Sequence, residues 1–197
     1  MAETARKLAT YADIVHLPEG ENLEILDGEV SLAPRSVAAH GRAQMALSHD
    51  IGGSFEINED PGGWWIVIEP EGELLAHDVY ILDLADWRRS RAPTLPETRP
   101  VRVAPGWVCE VTSPSTSRNN RVRKADGCLR GGVSHYWLVD IESCMLEAWE
   151  ARDGAWVRLG AWTEDDSARI SPFDAVELRI GRLFPPAPPH PPDRTGT

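Results

Sequence analysis

The sequence is poor in cysteine and lacks long apolar runs, and these absences exclude several classes of protein. The sequence has an odd number of cysteines, namely Cys109, Cys128 and Cys144, and they form no CxxC pair. This argues against a structural zinc site and a disulfide framework. No stretch approaches the ~20 apolar residues of a membrane span, and residues 1–17 lack the apolar core of a signal peptide. No GxGxxG or glycine-rich Lys-Ser/Thr loop supports nucleotide binding. The sequence therefore predicts a cytoplasmic protein without a membrane segment.

Length and composition predict one soluble domain followed by a tail. The 197 residues fit one ordinary domain, expected over residues 1–184, and the apolar fraction of 42% is sufficient for a core. Residues 185–197 contain six prolines, a composition that favours a disordered tail. The net charge of −11 counts against a nucleic-acid partner, unless basic residues are locally concentrated.

Residue patterning predicts an α/β protein of the α+β kind, with a mixed sheet rather than a doubly wound one. An Asp-Gly pair between apolar runs supplies the positive φ angles of a type I′ turn, and predicts β-hairpins over 23–32 and 145–161. On the last predicted helix, Val122, Ala125 and Leu129 form the expected core stripe. The predicted helices are Thr10–His16, Ser36–Ile51 (ended by Gly52-Gly53) and Ser117 or Asn119 to Arg130 (ended by Gly131-Gly132); the other predicted strands are Trp64–Ile68, Val79–Leu82, Trp107–Thr112 and His135–Val139.

Two acidic residues stand in unusual places. Asp83 directly follows an apolar strand, and Glu110 lies inside the strand Trp107–Thr112. A lone Asp at a strand end is more often a turn former or a helix cap than a metal ligand. A carboxylate inside an apolar strand is partly desolvated unless a cation meets it. For Glu110, a structural salt bridge and a functional role both remain open.

Cations are concentrated next to both acids in the sequence. Between Ser117 and Gly131 there are five Lys or Arg and one Asp, a local charge of +4 in a chain of −11. Arg88, Arg89 and Arg91 follow Asp83 closely. A charge run is usually a solvated face, but two basic runs beside two unusual carboxylates partly answer the objection from net charge.

These residues resemble a known family, the bacterial domain described as a putative restriction endonuclease, which is a branch of the PD-(D/E)XK nuclease superfamily. The resemblance covers roughly Thr10 to Gly160 and is most specific from Trp107 to Asp140. It is carried by residues 83–89, by Val103-Ala104-Pro105, by residues 107–116, by Lys124, by residues 132–140, and by residues 23–29 followed by His40.

The resemblance implies a restriction-endonuclease-like core with added β-hairpins and a set of site residues. Asp83 and Glu110 correspond to the motif acids and would hold Mg²⁺, or Mn²⁺ as a substitute. Lys124 takes the place of the motif lysine, since Thr112 stands at the usual position. Glu24 matches a further family acid. The candidates for contacts with the DNA backbone are Arg88, Arg89, Arg118 and Arg121.

The chain also departs from the family pattern. Leu82 replaces the motif proline, and Asp86 stands where glycine is usual, which is expected to add negative charge near the metal. Asn120 and Cys128 replace an expected Asp and Tyr. None of these changes removes a core catalytic residue.

We therefore expect a metal-dependent endonuclease that hydrolyses DNA, with double-stranded DNA as its partner. By analogy, a homodimer would supply the two sites that cutting both strands requires. The main alternative is a weak or inactive member of the fold that binds DNA or protein. A glycosidase with paired carboxylates is disfavoured, because the local cations suit phosphate better than sugar.

Overall fold

The computed structural model describes residues 7–17, 22–33, 37–57, 63–112 and 119–186, and the side chains of 119–121 are not described. Arg118 and residues 187–197 of the predicted tail lie outside these ranges. No helix in the described ranges is long and apolar enough to cross a membrane.

The described strands form two large sheets and one small sheet of two strands, and the prediction of a mixed sheet is confirmed. The six-stranded sheet has the order β10-β9-β8-β7-β6-β3, in which only the β7–β8 pair is parallel. The four-stranded sheet has the order β2-β1-β5-β4 and is antiparallel. The strands are β1 Leu23–Leu26, β2 Glu29–Leu32, β3 Trp64–Ile68, β4 Glu71–Leu75, β5 Asp78–Ile81, β6 Leu84–Arg88, β7 Trp107–Thr112, β8 His135–Asp140, β9 Met145–Arg152, β10 Ala155–Thr163, β11 Ser167–Ala168 and β12 Leu178–Arg179.

Both predicted hairpins are confirmed, together with their turn type. Asp27 and Gly28 have φ angles of 51° and 75°, and Asp153 and Gly154 have 51° and 77°. Positive φ at both central positions defines a type I′ turn, whose twist matches that of the flanking strands. Strands β4 and β6 were not predicted from the sequence.

The helices agree with the prediction in position but not in winding. They are α1 Tyr11–Ile14, α2 Ala38–Leu47, α3 Ala125–Arg130 and a 3₁₀ turn at Ile180–Leu183. Helix α2 continues with π-type winding over Ser48–Ile57, and α3 is preceded by π-type winding over Asn119–Lys124. The predicted stop at Gly52-Gly53 is wrong. The continuation buries Ile51 and Phe55 to 0% and 3% exposure, which outweighs the cost of about 1 kcal/mol for each helical glycine.

Each face of the six-stranded sheet carries its own core. On the first face, α2 and the segment around Phe173 pack against Trp107, Trp137 and Val139. On the second face, α3 and the four-stranded sheet pack against Val108, Tyr136 and Leu138. Because side chains alternate along a strand, Glu110 belongs to the second face.

The predicted core stripe on the last helix is wrong at Val122, which is 64% exposed. The side chains that turn inward are Lys124, Ala125 and Cys128. The π-type winding holds about one more residue per turn than an α-helix, and this rotates Val122 out of the stripe. Gly127 lets the helix approach closely, because a Cβ there would collide with the Tyr80 hydroxyl.

Candidate active site

A buried ammonium group lies at the centre of the candidate site. Lys124 Nζ is 2.6 Å from Glu24 Oε1 and 3.1 Å from Glu110 Oε2, and it donates to the Ile81 carbonyl at 2.9 Å. The exposure of Glu24, Glu110 and Lys124 is 4%, 0% and 4%. The π-type segment before α3, strand β7 and strand β1 therefore converge at one buried cluster of charges.

Glu24 reaches the cluster because the first hairpin belongs to the four-stranded sheet. Strand β1 pairs with β5 through Ile25 and Val79, and Glu24 Oε1 also accepts a hydrogen bond from the Ile81 amide at 3.0 Å. The carboxylate thus serves both the backbone of β5 and the ammonium of Lys124.

Asp83 lies where the chain passes from β5 in one sheet to β6 in the other. Its Oδ2 accepts a hydrogen bond from the Val111 amide at 2.7 Å, and its Oδ1 is 3.0 Å from His40 Nε2. The side-chain amide of Gln44 donates to the Asp83 carbonyl at 3.3 Å. Helix α2 therefore positions Asp83 against the end of β7, beside Glu110.

Negative charge exceeds positive charge in this cluster. Burial raises the pKa of Glu110, Lys124 opposes that rise, and Asp83 and Glu24 reinforce it. Burial alone would lower the pKa of Lys124, but Glu110, Glu24 and Asp83 together raise it. One ammonium paired with two carboxylates, with Asp83 as a third acid nearby, leaves a site that favours further positive charge.

The donor atoms suit a hard divalent cation. Glu110 Oε1 is buried and has no hydrogen-bond partner within the described part of the chain, and carboxylate oxygens are the ligands that Mg²⁺ prefers. No three His, Cys, Asp or Glu side chains of the described residues form a complete metal cage. Mg²⁺ does not require one, because it usually binds through one or two carboxylates, waters and substrate phosphates.

The basic run after Asp83 lies away from the cluster. Arg88 stacks on the ring of Trp64 and Arg89 on that of Trp65, each at 4.1 Å from the ring centroid. Arg88 is five residues from Asp83, about 17 Å along an extended strand. Arg88 therefore lies at the end of β6 that is remote from Asp83.

The second basic run is partly occupied by structural contacts. Arg123 and Arg130 pair with Asp27 in the first hairpin turn, at 3.2 and 2.9 Å, and Lys124 lies in the buried cluster. Arg121, a predicted contact to the DNA backbone, has a described backbone only.

Asp86 does not add charge near the proposed metal, contrary to the sequence interpretation. Its Oδ1 accepts a hydrogen bond from the Trp107 amide at 2.6 Å. Trp107 is three residues, about 10 Å, from Glu110 along β7. The side chain of Trp107 packs on the first face of the sheet, whereas Glu110 lies on the second. Burial raises the pKa of Asp86 to about 8, against the lowering effect of bonds from the Trp107 and Gly106 amides.

Sequence reasoning did not assign roles to His40 and Gln44. His40 was noted only as part of the family resemblance, and Gln44 was not singled out. Both lie on α2, four residues apart, so they share one helix face and meet Asp83. A polar pair at this spacing inside a predicted amphipathic helix was the available signal.

Comparisons with known proteins agree on family and fold. The family model Uma2, described as "Putative restriction endonuclease", matches residues 8–181. A crystal structure from Anabaena variabilis, described as a putative nuclease belonging to DUF820, aligns with a TM-score of 0.69 and 19% identity. That alignment covers 89% of this chain and 97% of the other. No curated protein matches the sequence. The restriction-endonuclease-like fold predicted from the sequence is confirmed.

Proposed function

Since this chain belongs to the Uma2 family, which is described as "Putative restriction endonuclease", we propose that it is a metal-dependent endonuclease that hydrolyses DNA. One observation carries the proposal: the buried carboxylate of Glu110 lies beside Asp83, has an oxygen without a partner among the described residues, and is within 3.1 Å of Lys124. Two neighbouring acids and a lysine that contacts one of them are groups that metal-dependent phosphodiester hydrolysis can use.

Asp83 and Glu110 are the residues that would hold Mg²⁺ or Mn²⁺. Such an ion, when bound, polarises the scissile phosphate and lowers the pKa of an attacking water. His40 and the Val111 amide fix both oxygens of Asp83, so this carboxylate is oriented before substrate arrives. Preorganised ligands of this kind avoid a reorganisation cost during the reaction.

Lys124 is the group that would stabilise charge on the phosphate. Its ammonium has three N–H donors, and they are directed at Glu24, Glu110 and the Ile81 carbonyl. One of these contacts must be exchanged for a phosphate or water oxygen before Lys124 acts on the substrate. Glu24 would keep the ammonium in place during that exchange.

The rival function is a binding module without catalysis, and one observation favours it. All three donors of Lys124 are already directed at protein acceptors, and the cluster is almost fully buried. A purely structural ion pair would look the same in the absence of substrate. A homodimer and contacts of Arg88, Arg89, Arg118 and Arg121 with the DNA backbone stay predictions in either case.

Nicking of supercoiled plasmid in the presence of Mg²⁺ or Mn²⁺ tests the proposal. We expect the wild type to convert supercoiled DNA to open circles, and Glu110→Gln to lose at least about 100-fold in rate. Glu177→Gln, the same chemical change at an exposed glutamate, is the matched control and should keep full activity. Equal nicking by wild type and Glu110→Gln would attribute the activity to a contaminant and refute the site.

A further inference from the structure

A cavity lined by aromatic rings adjoins the candidate active site on the second face of the sheet. Its volume is about 280 Å³, and its walls come from α3, β8, β9 and β10. The lining residues are Ala125, Tyr136, Leu138, Glu147, Trp149 and Trp156. None of them has a role in the proposed hydrolysis.

The cavity is adjacent to the charged cluster of Glu24, Glu110 and Lys124 through two elements, α3 and β8. Ala125 directly follows Lys124 on the chain, and Leu138 is the register partner of Glu110 in the β7–β8 pair. Paired strands lie about 4.8 Å apart, so the cavity begins at the strand next to Glu110. A group held in it would be a near neighbour of a phosphate at Lys124.

Three rings define the shape of the cavity. Tyr136 contacts Trp149 and Trp156, with centroid separations of 6.2 and 5.8 Å. Trp156 Nε1 donates to the Ala125 carbonyl at 2.9 Å, which ties the β10 ring to α3. Trp149 and Trp156 are diagonal neighbours across β9 and β10, a relation that places their Cα atoms about 7–8 Å apart. Both rings therefore border the cavity on its β9–β10 side.

The carboxylate that lines the cavity is already paired. Glu147 Oε1 accepts a hydrogen bond from Arg158 Nη2 at 2.8 Å. An organic cation would therefore find a carboxylate whose charge is compensated, while the edge of a nucleobase would find an acceptor and a donor side by side. Carboxylates accept hydrogen bonds from exocyclic amines of bases, and aromatic side chains stack on bases of any sequence.

We propose that this cavity binds an unstacked nucleobase of the substrate strand, next to the phosphate that is cleaved. This proposal rests on the proposed nuclease function, because that function supplies the substrate strand and the phosphate that is cleaved. Enzymes that do chemistry on a base hold the extruded base between aromatic or apolar side chains and read its hydrogen-bonding edge, and a cavity of this kind can hold a base beside a reacting phosphate as well. Trp149, Trp156 and Glu147 are the residues that would contact the base.

Binding of nucleoside monophosphates, measured without metal, tests the cavity separately from cleavage. The indole N–H signals of the eight tryptophans are followed by ¹⁵N NMR during titration with CMP, AMP, GMP or TMP. We expect the Trp149 and Trp156 signals to shift, and Trp149→Leu to weaken binding about fivefold or more, since one base stack is worth ~1–3 kcal/mol.

The hairpin of β9 and β10, which carries Trp149 and Trp156, also supplies a matched control. A bulge between Arg158 and Gly160 reverses the alternation of β10, so Trp162 packs on the first face although Trp156 packs on the second. Trp162→Leu should leave binding unchanged. Absence of shifts at Trp149 and Trp156, or equal weakening by both Leu variants, would overturn the proposal. Equal shifts with tetramethylammonium would also overturn it, because the cavity would then be selective for cations.

Failure of the two proposals gives different results. Glu177→Gln should bind nucleotides like the wild type, because Glu177 is exposed and does not line the cavity. If the wild type shows these shifts but no nicking, the proposed hydrolysis fails and the base site stands. If it nicks DNA but shows no shifts, the base site fails alone.

Discussion

Glu110 and Asp86 are both buried carboxylates on central strands of one sheet, and they lie in opposite settings. Glu110 has a lysine at 3.1 Å and two further carboxylates in its surroundings. Asp86 is bound by a backbone amide, and burial is the main cause of its raised pKa. Desolvation raises the pKa of both groups, so a perturbed pKa does not by itself mark a functional residue. What distinguishes Glu110 is the convergence of charged groups from β1, β7 and the π-type segment before α3.

The largest expected effect comes from removing the cation of the Glu110 cluster. Lys124→Ala leaves Glu24 and Glu110 buried without a counter-ion, so the free energy of unfolding should fall by about 3–5 kcal/mol. Lys7→Ala removes an ion pair whose ammonium is 85% exposed. This variant should change the free energy of unfolding by less than about 1 kcal/mol. Urea unfolding at pH 7 measures both. A small loss for Lys124→Ala would mean that Glu24 and Glu110 do not rely on this ammonium.

A divalent cation should stabilise the folded protein through Glu110 and not through Asp86. The expected change in the free energy of unfolding is smaller than that for Lys124→Ala. Mn²⁺ at 100 times its dissociation constant should stabilise the wild type by about 2.7 kcal/mol, measured as a rise in Tm. Asp83→Asn and Glu110→Gln should abolish the rise, whereas Asp86→Asn should retain it. Each of the first two should also stabilise the metal-free protein, because one of two neighbouring like charges is removed.

The rival structural role of Glu110 predicts the reverse pattern. A wild type whose Tm does not respond to millimolar Mn²⁺, together with a Glu110→Gln variant that is destabilised, would refute the proposed metal site. Loss of the response in Asp86→Asn would show that burial of any acid in this sheet is sufficient, and would remove the distinction between the two residues.

The smallest expected effect is the pH dependence that arises from Asp86. Its pKa is raised to about 8 in the folded protein, above the unfolded value of about 3.9. The folded state therefore binds more protons than the unfolded state between these values, and its stability falls as pH rises. Between pH 6 and pH 8 the loss should reach about 2 kcal/mol.

Asp86→Asn removes this titration and keeps the side-chain shape. Urea unfolding of both proteins at pH 6 and pH 8 should therefore give a smaller fall in stability for Asp86→Asn. Glu177→Gln, at an exposed carboxylate, should behave like the wild type. Equal falls in Asp86→Asn and the wild type would mean that Asp86 is ionised throughout the range.

Local chemistry explains which elements could be predicted. Asp27-Gly28 and Asp153-Gly154 determine two turns through backbone angles that few other residues tolerate, and both hairpins follow. The run Trp107–Thr112 is mostly apolar and is buried along its whole length, as expected for a central strand. The helix end at Gly52 was wrong because burial of Phe55 depends on a distant core, which no local signal reports.

For the candidate site, the sequence supplied the residue types and the tertiary structure supplied the contacts. The family pattern and the position of Glu110 in an apolar strand identified Asp83, Glu110, Lys124 and Glu24 as candidates. The helical winding that turns Lys124 inward, the contact of His40 with Asp83 and the separation of Arg88 from the cluster all depend on packing between elements far apart in the chain. Periodicity describes one element at a time, whereas a charged site is formed by the meeting of several.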